Sequence, residues 1–184
     1  MEDLFPEFET SRLLLSPPRV ADIPAIVELG NNPNIAKNVF LLPYPYQEKD
    51  AVFWIHMADQ GLADRSRFIF ALRLKPDNLF IGGMGLTLAK EHRRAEMGYW
   101  VGEPYWNNGF ASEAAAAVLK FGFEQLNLNK IYATHLDTNP ASGKVMTKNG
   151  MVREGVLKEH ILKEGAFRTL VQYALLRKDF QPHP

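Results

Sequence analysis

Apolar residues along the chain form short runs with strand character and longer segments with helical spacing. Seven short runs have the length and composition of β-strands and are bounded by Pro, Gly, Asn or Asp. Gly82, Gly83 and Gly85 fall within one of these runs and predict a β-bulge or a weakened strand there. The predicted strands span residues 13–15, 68–74, 79–88, 95–101, 130–136, 152–162 and 167–176.

Four longer segments carry apolar residues at steps of three and four and predict helices. Asp22 is the expected N-cap of the first helix, and Gly61 is expected to end the second. Asn139 followed by Pro140 predicts the beginning of the fourth helix, and Gly150 its end. The predicted helices span residues 22–30, 47–60, 112–126 and 139–150, and residues 34–46 are expected to be irregular.

The order of these elements predicts a mixed α/β fold. A length of 184 residues suits a single domain that covers residues 1–184. The helix at 112–126 connects the strands at 95–101 and 130–136. A right-handed crossover of this kind makes the two strands parallel neighbours.

Composition excludes several classes of function. Lys plus Arg and Asp plus Glu number 21 each, so the net charge of zero gives no attraction to nucleic acid or anionic membranes. The chain has no cysteine, which excludes thiolate metal sites and a cysteine nucleophile, and its five histidines lack metal-ligand spacing. Residues 1–6 lack the features of a signal peptide, and no apolar run reaches the roughly 20 residues that span a bilayer. We therefore expect a cytoplasmic protein without a bound metal.

The segment from Tyr99 to Ala114 combines a strand end, a loop of small and polar residues and the beginning of a long helix. Such a connection directs successive backbone N–H groups and the positive end of the helix dipole toward one point, where a phosphate can bind. The same residues also fit an ordinary strand-to-helix turn that needs one glycine. Neither the Walker motif nor the three-glycine dinucleotide motif is present.

The loop Trp106-Asn107-Asn108-Gly109-Phe110-Ala111 resembles the Arg/Gln-x-x-Gly-x-Gly/Ala loop that binds the coenzyme A pyrophosphate in the GNAT acetyltransferase superfamily. Trp106 stands where that superfamily commonly has Arg or Gln. From about residue 10 to about residue 178 the chain resembles the RimJ/RimL branch, the ribosomal-protein-alanine N-acetyltransferase type. The matching motifs are TSRLLL at 10–15, GYW at 98–100, GFASEA at 109–114, NPAS at 139–142, KNGM at 148–151 and EG at 154–155.

This resemblance implies a GNAT-type domain with a central, mostly antiparallel seven-stranded sheet and about four helices. It also implies acetyl-CoA as cosubstrate, no metal, and direct transfer of acetyl to a primary amine. The strand at 99–101 would pair with the pantetheine arm of the coenzyme, and Asn139 would form a hydrogen bond with the same arm. The strand at 99–101 would also diverge from the strand at 130–136 and leave a slot between them. The residues implied in coenzyme A binding are Tyr99, Trp100, Val101, Trp106, Asn107, Asn108, Gly109, Phe110, Ala111, Ser112, Asn139, Ser142 and Lys148.

Acetyl transfer requires a neutral amine, a donor for the oxyanion and a proton for the departing thiolate. Glu96 and Glu103 are the candidate bases, and the resemblance favours Glu103 as base with Ser142 as proton donor. Each residue also has an ordinary interpretation: Glu103 as a solvated loop residue, Glu96 as a strand-edge charge and Ser142 as a helix hydroxyl bonded to backbone. The oxyanion donor would be a main-chain N–H near residues 99–101.

The expected acceptor is a protein N-terminal α-amine, as in ribosomal proteins, with a polyamine, an amino acid or an amine-bearing antibiotic as alternatives. An α-amine is roughly 10–20% neutral at pH 7, so it needs only a modest base. Tyr44, Tyr46, Phe53 and Trp54 are candidates for the acceptor wall, although core packing also explains them. A coenzyme A-binding module without catalysis and an unrelated nucleotide-binding domain are the competing classes. Exposed strands at the end of the chain suggest a homodimer.

Overall fold

The computed structural model describes residues 6–40 and 42–181, in which an eight-stranded sheet carries helices on both faces. Residues 1–5, on which the expectation about a signal peptide rests, lie outside the described residues. The strands are β1 (Phe8–Glu9), β2 (Leu13–Ser16), β3 (Arg67–Leu74), β4 (Leu79–Ala89), β5 (Arg94–Val101), β6 (Lys130–Leu136), β7 (Val152–Lys163) and β8 (Ala166–Leu176). The α-helices are α1 (Ile23–Gly30), α2 (Pro33–Asn38), α3 (Glu48–Ala63), α4 (Phe110–Glu124) and α5 (Pro140–Lys148).

The predicted mixed α/β fold with a mostly antiparallel sheet is confirmed, and two element counts are corrected. The described sheet has eight strands rather than seven, because the two-residue β1 pairs with β2. The described chain has five α-helices rather than four, because α2 lies in the segment expected to be irregular. Asn32 caps this short helix by accepting a hydrogen bond from the Asn34 N–H at 2.8 Å. Within the described residues, no helix has the length and hydropathy needed to span a membrane.

One predicted helix end is wrong, and one predicted N-cap lacks its side-chain hydrogen bond. Asp22 is the N-cap residue of α1, as predicted, but its carboxylate does not cap the helix, because it accepts hydrogen bonds from the guanidinium of Arg73 at 2.7 and 2.8 Å. Gly61 does not end α3, which continues to Ala63. A Cβ at Gly61 would lie 2.5 Å from the Cβ of Arg67, so glycine here allows the helix to pack closely on β3. The predicted bulge is confirmed: the register of β3 with β4 shifts between Leu72 and Arg73, opposite Gly82.

The two faces of the sheet carry separate hydrophobic cores. Helices α4 and α5 cover one face, where Phe70, Phe121 and Leu119 are buried. Helices α1, α2 and α3 cover the other face, where Ile26 and Trp100 are buried. A ligand that reaches both faces must therefore pass between strands.

Strands β5 and β6 provide that passage. They are parallel neighbours, as predicted from the crossover through α4, and they pair only from Arg94 to Glu96 on β5. Beyond this point β5 stays paired with β4 up to Val101, and β6 stays paired with β8 up to Leu136. The two strands therefore diverge and leave a slot in the middle of the sheet.

Candidate active site

A cavity of about 1330 Å³ lies along this slot and is lined by residues from both faces of the sheet. Most of the residues predicted for the site line its walls, whereas Asn108 and Glu103 do not. The predicted residues in the walls are Glu96, Tyr99, Trp100, Val101, Trp106, Asn107, Gly109, Phe110, Ala111, Ser112, Asn139, Ser142 and Lys148.

The open edge of β5 presents backbone groups to the slot. The Gly102 N–H donates to the Ile81 carbonyl at 2.8 Å, so this residue faces β4. Because backbone groups alternate in direction along a strand, those of Tyr99 and Val101 face the slot. The indole N–H of Trp106 donates to the Val101 carbonyl at 2.6 Å, and the N–H and C=O of Tyr99 remain directed into the slot.

The loop before α4 has the backbone geometry of an anion site. Asn107 and Gly109 have φ values of 62° and 81°, in the left-handed region. Such residues turn consecutive N–H groups toward one concave side. No side chain caps α4 at Gly109, so the N–H groups of its first turn, from Phe110 to Ser112, are left for a ligand.

Glu113 anchors this loop to the N-terminal segment. One of its oxygens accepts hydrogen bonds from Thr10 Oγ1 at 2.6 Å, Ser11 Oγ at 3.1 Å and the Arg12 N–H at 2.9 Å, and the other accepts from Arg12 Nε at 2.7 Å. Arg12 also donates to the Asn108 carbonyl at 3.0 Å. Burial alone would raise the pKa of Glu113, but these hydrogen bonds outweigh it and lower that pKa. The motifs at 10–15 and 109–114 thus contact each other.

Two hydroxyl groups meet on the face covered by α4 and α5. Tyr99 OH lies 2.7 Å from Ser142 Oγ and donates to the Ser142 carbonyl at 3.0 Å. Burial raises the pKa of Tyr99 to about 12, partly offset by the hydrogen bond with Ser142. Asn139 accepts a hydrogen bond from the Ser142 N–H at 3.3 Å and so caps α5, as predicted. Both hydroxyl groups are in place to supply a proton within the slot.

Glu96 lies on the other face, at the point where β5 and β6 part. Thr134 Oγ1 donates to one of its oxygens at 3.4 Å and Tyr132 OH to the other at 3.5 Å. Because side chains alternate along a strand, Glu96 and Tyr99 point to opposite faces of β5. Burial, followed by the Glu96 charge, raises the pKa of Tyr132.

Glu103 lies outside the cavity walls, although the resemblance favoured it as base. It begins a short 3-10 turn after β5. Its two carboxylate oxygens accept hydrogen bonds from Asn32 Nδ2 at 2.6 Å and Asn34 Nδ2 at 2.8 Å. The structure therefore joins Glu103 to the beginning of α2 and does not bring it together with Glu96 and Ser142.

The predicted acceptor wall is largely assembled on the face covered by α3. Tyr46, Phe53 and Trp54 line the cavity there. Tyr44 instead lines a second cavity of about 400 Å³. Burial, followed by the charge of Asp50, raises the pKa of Tyr46 to about 12.

Sequence reasoning missed several polar residues of the cavity, among them Asp50, Arg67 and His135. His135 is buried, and its Nδ1 lies 2.7 Å from the Leu136 carbonyl. No local motif marks these residues, because strand pairing and helix packing bring them to the cavity. Among the described residues, no group of three or more His, Asp or Glu is arranged to hold a metal ion.

Comparisons with known proteins agree on one family for this chain. Residues 12–152 match the family model described as an acetyltransferase (GNAT) domain. The chain is 32% identical over 172 residues to the uncharacterized N-acetyltransferase YnaD of Bacillus subtilis (strain 168), covering 93% of this chain and 97% of YnaD. Its fold matches a GNAT-family acetyltransferase from Bacillus anthracis with a TM-score of 0.83 and 27% identity, covering 94% of this chain and 99% of that one.

Relatives with named acceptors are more distant. The chain is 26% identical to spermidine N(1)-acetyltransferase of Escherichia coli (strain K12), covering 90% of this chain and 87% of that protein. Mycobacterium smegmatis RimJ, solved in complex with CoA-disulfide, shares the fold with a TM-score of 0.81 at 22% identity, covering 90% of this chain and 82% of RimJ. These matches, and the family model above all, show that the chain belongs to the GNAT acetyltransferase family and takes acetyl-CoA as its acetyl donor.

Proposed function

We propose that the protein transfers acetyl from acetyl-CoA to a primary amine, with Glu96 as the base. The amine belongs either to a protein N-terminus, as the likeness to the RimJ/RimL branch suggests, or to a small molecule such as a polyamine, an amino acid or an antibiotic. The observation that carries the proposal is the placement of Glu96 and of the Tyr99–Ser142 pair on opposite faces of β5, at the slot.

The donor binds along the slot from the face covered by α4 and α5. The uncapped first turn of α4 holds the pyrophosphate, as do the N–H groups of the loop at Asn107 and Gly109. The backbone of Tyr99 pairs with the pantetheine arm, which places the thioester near Ser142. Asn139 and Lys148 line the same cavity and contact the bound coenzyme.

The amine enters from the opposite face and attacks the thioester carbonyl carbon. Glu96 accepts the proton that the nitrogen loses, and a main-chain N–H near Tyr99 stabilises the oxyanion. The C–S bond then breaks, and the thiolate takes a proton from Ser142, whose hydroxyl is oriented by Tyr99. Ser142 regains a proton from solvent and Glu96 releases its proton to solvent, which restores both groups. The products are the acetylated amine and free coenzyme A.

Thiol release from acetyl-CoA tests the proposal, measured at pH 7 and 9 with N-terminal peptides that begin with Ser, Ala or Met and with a panel of small amines. The matched variants are Glu96→Gln and Glu103→Gln, which make the same change inside and outside the cavity. Glu96→Gln is expected to lower kcat by about 100-fold, since a positioned base contributes roughly this much. Glu103→Gln is expected to keep kcat within about threefold, and both variants to keep the affinity for coenzyme A.

Loss of activity in Glu103→Gln with full activity in Glu96→Gln would assign the base to Glu103 and contradict the proposal. Coenzyme A binding without acetylation of any amine would favour the non-catalytic binding module. ATP or NAD competing with coenzyme A would favour a nucleotide-binding domain.

The proposal also includes a single domain of residues 1–184, a cytoplasmic location and a homodimer. The outer strand of the sheet is β7, on which Val152 and Leu162 are exposed. An exposed strand of this kind can pair with a second copy. Sedimentation velocity across a range of protein concentrations tests the dimer.

A further inference from the structure

The acceptor end of the cavity contains a positive charge without an anionic partner. Arg67, the first residue of β3, lines the cavity. Its Nη1 donates to the Met57 sulfur at 3.2 Å, which is a weak acceptor, and its buried Nε has no hydrogen-bond partner. Among the described residues, no carboxylate forms an ion pair with this guanidinium. Hydrogen bonding with Ser66, and to a lesser extent the charge of Arg67, lowers the pKa of Asp64, but the Asp64 carboxylate accepts its hydrogen bond from the Ser66 N–H and not from Arg67.

Arg67 and Glu96 belong to one row of cross-strand neighbours, with Thr87 between them. Arg67 pairs with Thr87 across β3 and β4, and Thr87 pairs with Glu96 across β4 and β5. Side chains at paired positions lie on the same face, so all three project toward the acceptor end, and all three line the cavity. Two strand spacings separate the Cα atoms of Arg67 and Glu96 by about 10 Å.

The next row of the sheet is open at β5. It contains Ile69, Gly85 and Gly98 at paired positions on β3, β4 and β5. A Cβ at Gly85 would lie 3.2 Å from the Ile69 side chain, so Ile69 closes the row on the β3 side. A Cβ at Gly98 would meet no atom within 4 Å, so the space beside Glu96 is free. A small molecule can therefore lie on this floor between the carboxylate of Glu96 and the guanidinium of Arg67.

We propose that the acceptor is a free α-amino acid, with its amine facing Glu96 and its carboxylate bound by Arg67. The inference rests on the proposed acetyl transfer and names the acceptor class of that same site. A half-buried guanidinium without a partner favours an anionic ligand, and its planar array of N–H donors matches a carboxylate. Glu96 and Arg67 line the same cavity, so one ligand with both charges can contact the two side chains. A polyamine would have to place its second ammonium near Asp50 rather than Arg67, and the Asp50 carboxylate already accepts a hydrogen bond from the Gln47 N–H at 2.8 Å.

The test compares acceptors that differ only at the carboxylate. The kcat/KM for thiol release from acetyl-CoA is measured for the common amino acids, for their carboxamides, for the corresponding amines without a carboxylate, for N-terminal peptides and for spermidine. At least one amino acid is expected to exceed its carboxamide by roughly 10- to 100-fold, the range for a charge-assisted hydrogen-bonded pair.

Variants of Arg67 then test whether this residue causes the preference for the acid over the carboxamide. Arg67→Gln is expected to lose the preference for the acid, mainly through a higher KM for the acid, and to keep the affinity for coenzyme A. Arg67→Lys is expected to keep part of the preference, because the charge remains. Arg153→Gln is the control, since Arg153 is an exposed arginine of β7 outside the cavity.

Equal kcat/KM for acids and carboxamides would overturn the inference, as would a preference for spermidine or for N-terminal peptides, and acetyl transfer itself would stand in each case. Absence of acetylation with every amine, despite coenzyme A binding, would overturn the proposed function and the inference together. If Arg67→Gln does not fold, the comparison of acids with carboxamides on the unchanged protein decides alone.

Discussion

At the scale of single residues, the proposed mechanism assigns the proton of the departing thiolate to the Tyr99–Ser142 pair. Tyr99 OH and Ser142 Oγ lie 2.7 Å apart, so one hydroxyl orients the other. The pKa of Tyr99 is raised to about 12 by burial, and its hydroxyl therefore stays protonated below that pH. A donor of this kind does not limit activity in the alkaline range where amines become neutral.

The pH profile tests this role. In the unchanged protein, kcat/KM is expected to rise as the acceptor amine loses its proton and to stay level up to about pH 10, because Tyr99 remains protonated. Tyr99→Phe is expected to lower kcat by about tenfold, since the hydrogen bond to Ser142 is lost. Ser142→Ala is expected to lower it at least as much, with no further loss in the double variant. Steady-state kinetics between pH 6 and 10 check both points, and a fall in kcat/KM above pH 8 in the unchanged protein would contradict them.

The sequence indicated both Glu96 and Glu103 as candidate bases, and the resemblance favoured Glu103. They lie seven positions apart, on either side of the Gly98-Tyr99-Trp100 motif. Their surroundings differ because Asn32 and Asn34, about seventy positions away, donate hydrogen bonds to Glu103. No pattern within β5 contains that information.

At the scale of elements, a buried ion pair joins β3 to the turn before α1. Arg73 and Asp22 are 4% and 6% exposed, and their bidentate contact is completed by Ser16 Oγ, which accepts from Arg73 Nε at 2.8 Å. Asp22→Ala is expected to lower the free energy of unfolding by about 3–5 kcal/mol, because it leaves a buried guanidinium without its counter-charge. Urea denaturation at pH 7 measures the loss. The double variant Asp22→Leu with Arg73→Met is expected to recover most of it, and a double variant as unstable as Asp22→Ala would contradict this account.

A second contact between elements fixes the beginning of α4. Glu113→Gln is expected to lower the free energy of unfolding by only about 1–3 kcal/mol at pH 7, because Arg12 is partly exposed and solvent screens its charge. It is also expected to weaken coenzyme A binding several-fold. Because the folded-state pKa of Glu113 is lowered, its contribution is complete above about pH 4.3, the unfolded value, and is lost as the pH falls through the folded value. Calorimetric titration with coenzyme A and thermal unfolding between pH 3 and 7 check this. Glu124→Gln at the other end of α4 is the control, and an equal effect there would contradict the assignment.

Most element positions follow from the sequence, and the differences have local causes. Seven strands and four helices are found close to their predicted positions, because their apolar spacing reflects the two cores. Asp22 fits the pattern of an N-cap, yet the distant Arg73 binds its carboxylate. The helix α2 has six residues, too few for a periodic pattern, and depends on a cap from Asn32. Propensity identifies the elements, whereas long-range polar contacts decide their ends.

At the scale of the whole molecule, the proposed mechanism places donor and acceptor on opposite faces of the sheet. Tyr99 and Ser142 lie on the face covered by α4 and α5, and Glu96 and Gly98 belong to the opposite face of β5. The resemblance to the family predicted the slot, and the short pairing of β5 with β6 agrees with it. Arg67 carried no signal in the sequence, because its relation to Glu96 exists only across three paired strands.

Gly98→Val tests this separation. A side chain at Gly98 would project into free space on the acceptor face, since a Cβ there meets no atom within 4 Å. Valine also suits a strand better than glycine, so thermal unfolding is expected to show unchanged or slightly higher stability. Coenzyme A affinity is expected to stay within about twofold, while kcat/KM for the amine falls by at least about tenfold because the floor of the acceptor site is filled. Calorimetry with coenzyme A and thiol-release kinetics on the same preparation separate the two effects, and parallel loss of coenzyme A binding and activity would mean that Gly98 contacts the donor.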